Sequence, residues 1–94
     1  MNRIELLEKA LKLSREKYQG NPNYFVLKAI INQLEYLTNI ANGREYDLSK
    51  LDSIIIGRMT AQDIDNWDPQ LAEILHLVSA EAKKMNLEHR KELK

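Results

Sequence analysis

Three carboxylates stand within six residues at Asp63, Asp65 and Asp68, with Asn66 and Trp67 between them. Such a cluster invites a calcium reading, yet the spacing has neither the central glycine nor the bidentate glutamate of an EF-hand loop. No metal site is expected. The two histidines, His76 and His89, are thirteen positions apart and belong to no HExxH pair. Cysteine is absent, which removes thiolate zinc ligands, a cysteine nucleophile and a disulfide framework together. The three glycines are scattered singly, so no phosphate-cradling loop is present, and no serine lies in a nucleophile elbow. The remaining carboxylates read as solvated charges. No catalytic residue is assigned, no cofactor is implied, and an enzyme is not expected.

The elements that must position these side chains follow from apolar spacing. Asn21–Gly43 is the organising stretch, with Tyr24, Leu27, Ile31 and Leu34 along the middle of a broad apolar arc. Val26, Ile30, Leu37, Ile40 and Ala41 widen that arc, which suits a central helix touching two neighbours. Asn21-Pro22-Asn23 offers a turn, an N-cap and a first-turn proline, and Asn42-Gly43 offers a stop. Before it, Arg3–Gln19 reads as a helix with Ile4, Leu7, Leu11 and Tyr18 on one stripe and Ser14 beside it. Leu6 and Leu13 fall on the other side, either half-covered by lysine and arginine stems or forming a second, intermolecular contact stripe.

After Gly43, Asp47 or Ser49 caps a short helix whose buried side takes Leu48, Leu51, Ile54 and Ile55. The run Ile54-Ile55-Ile56 is β-branched, but a lone strand has nothing to pair with, so a helix end and a buried bend at Gly57 are expected. A second short helix over Arg58–Asp65 points Met59 and Ile64 inward. Asp68-Pro69 then reads as an N-cap and first helical position. From Pro69 to about Leu87, a last helix carries Leu71, Ile74, Leu75, Val78, Ala82 and Met85 on one stripe, with His76 off it. Glu88–Lys94 is expected to fray. The fold class is therefore all-α: a small helical bundle in which N- and C-terminal helices pack a long central helix, with short helices between. Residues 1–94 suit a single domain.

The chain carries 14 basic and 14 acidic side chains, unevenly placed. Residues 44–75 hold three basic and seven acidic side chains, whereas residues 1–20 hold five and three. A neutral chain whose biased region is acidic is a poor nucleic-acid binder, and a basic protein partner suits it better. No window approaches the roughly 20 apolar residues of a membrane span, and no signal-peptide run opens the chain. A cytoplasmic protein is expected. Trp67 reads either as a staple of the last helix or as an exposed binding anchor. Phe25, Asn32 and Tyr36 share the side of the central helix away from the arc, as an interface patch or as packing beneath the following segment.

Order and spacing carry a further reading. The YFVLKAIINQLEYL helix, with Gln33 inside it, comes first. The spacing of Asp47, Leu51, Ile56-Gly57 and Ala61 follows, and then the Asp-Ile-Asp-x-x-Asp-Pro-x-Leu start of the last helix. Together, over roughly residues 4–85, they resemble the small helical immunity proteins that neutralise a type VI-secreted NAD(P)+ glycohydrolase toxin of Pseudomonas, and their relatives beside polymorphic toxins. The resemblance implies a cytoplasmic antitoxin that binds a cognate toxin domain and blocks its active site sterically. On that reading Asp63, Asp65, Asn66 and Trp67 face a basic nucleotide-binding cleft and Glu45 and Tyr46 extend the contact, with Phe25, Asn32 and Tyr36 as the competing patch. A homo-oligomeric helical adaptor built on Leu6 and Leu13 is the alternative, and an antitoxin can also form a homodimer.

Overall fold

The computed structural model describes residues 1–92. Helix α1 spans Arg3–Gly20 and α2 spans Phe25–Ala41. A 3-10 helix over Ser49–Ser53 follows, then α3, Ile56–Met59, which runs directly into a π-helical turn over Thr60–Ile64. Helix α4, Pro69–Glu92, completes an all-α bundle, with no strand among the described residues.

Each helix end has a local cause. The Asn2 side chain accepts the Glu5 N–H at 2.8 Å and caps α1, satisfying a donor that the first turn leaves open. Asn21 closes the same helix, its amide donating to the Lys17 carbonyl at 2.9 Å. This corrects the expectation that Asn21 or Asn23 caps the central helix: α2 begins after Tyr24 with no side-chain cap, and Pro22 sits in the preceding turn. The other end of α2 behaves as expected. Gly43 adopts φ 74°, its N–H bonds the Ile40 carbonyl, and the Arg44 N–H reaches back to Asn39, the paired bonds of a Schellman stop. Asp68 caps α4 by accepting the Leu71 N–H at 3.1 Å.

The core is a single cluster drawn from every helix. Leu7, Ala10 and Leu11 of α1 meet Leu27, Ile30, Ile31, Leu34 and Leu37 of α2, while Leu71, Ile74, Leu75, Val78, Ala82 and Met85 of α4 supply the remaining side. Helices α1 and α4 run antiparallel. Lys17 meets Asp68 at 2.8 Å at one end, and Arg3 meets Glu88 at 2.9 Å at the other.

Four further expectations change. Leu6 and Leu13 are half-buried against the core, beside Ile74 and Leu77 of α4 with Lys9 lining the same groove, and not covered by basic side-chain stems alone. Ile55 is turned outward and Ile56 is fully buried, because Ile54 leaves the 3-10 helix in an extended conformation and shifts the inward register by one. Residues 88–92 are helical, since Arg3 holds Glu88 and Asp52 holds Arg90 at 2.7 Å; the last two residues of the expected frayed tail lie outside the described residues.

Gly57 is the fourth. It lies inside α3 rather than at a bend, where an added Cβ would collide with the Ser79 hydroxyl and come to 3.2 Å from the Ser79 Cβ on α4. The missing side chain lets α3 and α4 approach closely. Gly57→Val is expected to destabilise the fold by about 1–3 kcal/mol, measured by urea unfolding, through forced separation of the two helices. Ser79→Ala in the same chain should recover part of that loss, because it removes the nearer of the two colliding atoms.

Candidate functional site

The acid-rich segment after α3 folds against the N-terminal end of α2. Tyr24, the residue before α2, donates its hydroxyl to the Asp63 carbonyl at 2.6 Å. Its ring meets Trp67 edge to face, with centroids 4.8 Å apart and planes at 62°. That geometry sets the positive edge of one ring on the negative face of the other, a contact worth about 0.5–1.5 kcal/mol beyond area. Burial, and then the Asp63 carboxylate, push the Tyr24 phenol above its usual range, so it stays a donor. Trp67 is both staple and surface, since its indole is held by Tyr24 yet remains 40% exposed.

The three aspartates have separate jobs. Asp63 is exposed and uses only its backbone carbonyl within the fold. Asp65 accepts a hydrogen bond from Nε2 of His76 on α4 at 2.8 Å, which ties the turn to the helix. Asp68 uses one oxygen for the α4 cap and the other for Lys17. Asn66 is exposed between them. Among the described residues no group of three His, Asp or Glu side chains is placed to hold a metal ion.

Glu45 and Tyr46 do not extend this surface. They follow the C-terminal end of α2, whereas Trp67 sits at its N-terminal end, and a 17-residue helix separates its ends by roughly 25 Å at 1.5 Å per residue. Glu45 instead accepts the Tyr46 and Asp47 N–H groups at 3.0 and 3.3 Å, and Tyr46 stands 86% exposed. The second candidate patch is also divided. Tyr36 is half-buried and donates to the Asp47 carbonyl at 2.7 Å, and burial raises its phenol above the usual range. Asn32 opens into a groove of about 430 Å3 that Tyr36, Lys50, Ser53 and Ile54 also line. Phe25 is 76% exposed and follows Tyr24, which places it at the Trp67 end.

Gln33 has a larger structural part than its spacing suggested. Its carbonyl accepts the Ile55 N–H at 2.8 Å while its amide reaches the Met59 sulfur at 3.4 Å. His76 likewise joins the acidic turn only through folding. A polar residue beside a buried stripe was the sole sequence signal for either, and it named no partner.

This surface brings together exposed amide and aromatic groups, the Asp63 carboxylate, and Asp65 paired to His76. The architecture is that of a small helical protein-binding module of the immunity class. The chain belongs to the Tsi6 family, whose model matches residues 2–84. It is 31% identical over 75 residues to the immune protein Tsi6 of Pseudomonas aeruginosa, covering 80% of each chain. The solved structure of Tsi6 from that organism matches with a TM-score of 0.81 at 28% identity, over 87% of this chain and 85% of the other. A chain in the structure of Tse6 in complex with Tsi6 matches with a TM-score of 0.85 at 27% identity, over 92% of each. The resemblance read from the sequence therefore holds for the family and for the all-α fold.

Asp68 generates a prediction. The hydrogen bond from Lys17, followed by that from the Leu71 N–H, holds its carboxyl below the usual 3.8. A carboxylate depressed in the folded state stabilises above the unfolded pKa and loses that contribution as pH falls through the folded value. Asp68→Ala should therefore lower stability by about 1–2 kcal/mol at neutral pH, and the deficit should shrink as pH falls below 3.8. Urea titrations of both chains at several pH values measure it; a deficit independent of pH would mean that the charge contributes nothing.

Proposed function

We propose that this chain is an immunity protein that binds a cognate toxin domain in the cytoplasm and blocks its active site sterically, with no chemistry of its own. The observation that carries this reading is the match, over 92% of this chain and 92% of the other, to a chain in the solved structure of Tse6 in complex with Tsi6. No helix among the described residues is long and apolar enough to cross a membrane. The finer reading, a toxin that consumes NAD(P)+, rests on the resemblance of the helix and cap spacing.

The toxin-facing surface is assigned to Asp63, Asp65, Asn66 and Trp67, joined by Phe25. A nucleotide-consuming cleft must attract phosphate and is therefore basic, so carboxylates beside an aromatic anchor complement it in charge and shape. Trp67 fits the anchor role because its packing on Tyr24 prepays the rotamer entropy that an isolated indole would lose on binding. Glu45 and Tyr46 form a separate contact point, reached only by a partner that spans the length of α2.

Co-expression with the toxin domain from the adjacent gene is expected to restore growth, and the two chains should purify as a one-to-one complex. Asp63→Lys with Asp65→Lys should weaken that complex by about 100-fold or more, since close charge pairs at an interface are worth a few kcal/mol. Circular dichroism must show intact helices, because Asp65→Lys also breaks the bond to His76. Unchanged affinity would sink the assignment of this surface while leaving the family membership in place. Failure to restore growth with the adjacent toxin would count against the antitoxin reading itself.

A further inference from the structure

Helices α1 and α4 leave an open groove of about 320 Å3 along the flank they share. Its walls are apolar: Leu6 and Leu13 from α1 are half-buried, Ile74 from α4 forms the floor, and Leu77 stands 56% exposed in the middle of α4. Met1, at the groove's end, is 75% exposed. Single exposed apolar side chains are ordinary, but here several converge along one seam. Lys9 on α1 and Glu73 on α4 edge the same groove, both are exposed, and neither takes part in an ion pair among the described residues.

We propose that this groove is the contact surface between two copies of the chain. One charge of each sign, on opposite walls of an apolar seam, is self-complementary. A two-fold axis running along the groove sets α1 of one copy against α4 of its partner, so Lys9 meets Glu73 of the second copy twice over. The four helices then pack as a bundle around the two sets of leucines, with α1 and the facing α4 antiparallel as they are within one copy. A basic toxin cleft is the poorer occupant, because it would gain nothing from Lys9 and would leave that charge facing its own.

Size sets the strength. A face two helices wide and as long as the 18-residue α1 covers roughly 500 Å2 per copy, below the ~800 Å2 per partner of a standard stable interface. The dimer is therefore concentration-dependent and reversible. It rests on the groove residues and not on Asp63–Trp67, so it goes beyond the antitoxin reading and does not depend on it.

Sedimentation equilibrium on the full chain over a concentration series tests the proposal, with an average mass expected to rise from one chain toward two. Leu77→Lys should weaken association by at least about tenfold, since each copy loses the burial of one leucine. The decisive variants address charge. Lys9→Glu alone should weaken the dimer, Glu73→Lys alone should do the same, and the two together should restore it, which loss of folding cannot mimic. A chain that stays monomeric throughout, or a dimer indifferent to Leu77→Lys, overturns the proposal. Loss of toxin binding in Leu77→Lys, with the parent chain monomeric, would assign the groove to the toxin instead.

Discussion

Two side chains of α2 and one from the residue just before it hold the irregular third of this protein in place. Tyr36 donates to the Asp47 carbonyl, Gln33 accepts the Ile55 N–H, and Tyr24 donates to the Asp63 carbonyl. In each case a side chain of the long helix or of its N-cap residue satisfies a backbone group of a segment too short and broken to satisfy its own. The order of the contacts, 36 to 47, 33 to 55 and 24 to 63, lays the connection back along α2 toward its starting end. Everything at that end, including Trp67 and the start of α4, depends on this return.

The rungs also explain why the short elements are irregular. A five-residue 3-10 helix, a four-residue α-helix and a π turn have little stability apart from packing, because helix nucleation is costly. They are shaped by what they must bury: Leu51, Ile56 and Ile64 each reach the common core. The π turn, closed by the Asp65 N–H on the Thr60 carbonyl at 2.9 Å, ends the segment and leads into the acidic turn. Gly57 allows the same segment to lie close on α4. A connection fixed on both α2 and α4 presents its exposed residues from a rigid base, which lowers the entropic cost of recognition.

Charge is divided between holding the fold together and facing solvent. Asp68, Asp52 and Glu88 are held below the usual carboxylate range by hydrogen bonds first, from Lys17, from Asn86 with Arg90, and from Arg3 respectively. These acids tie the first helix and the 3-10 helix to α4. Asp63, with Asn66, remains exposed beside the aromatic pair. Neither side chain makes an ion pair among the described residues, so both positions can vary at small cost to the fold.

The sequence by itself determined the three long helices, because their apolar spacing recurs at the helical period and their ends carry Asn-Gly and Asp-Pro signals that act within a few residues. It determined the absence of cysteine chemistry and the acidic bias of residues 44–75 as well. The family resemblance was also legible, being carried by order and spacing. What tertiary structure decided was adjacency between elements. Asp63 and Tyr46 belong to one acidic stretch of sequence yet finish at opposite ends of α2, while Phe25, Trp67 and His76, scattered along the chain, finish at one. Ile55 and Ile56 are indistinguishable by residue type, and only the extended step at Ile54 settles which is buried. Local periodicity encodes which face of a helix is apolar; hydrogen bonds made across the fold by Tyr24, Gln33 and Tyr36 decide what lies against it.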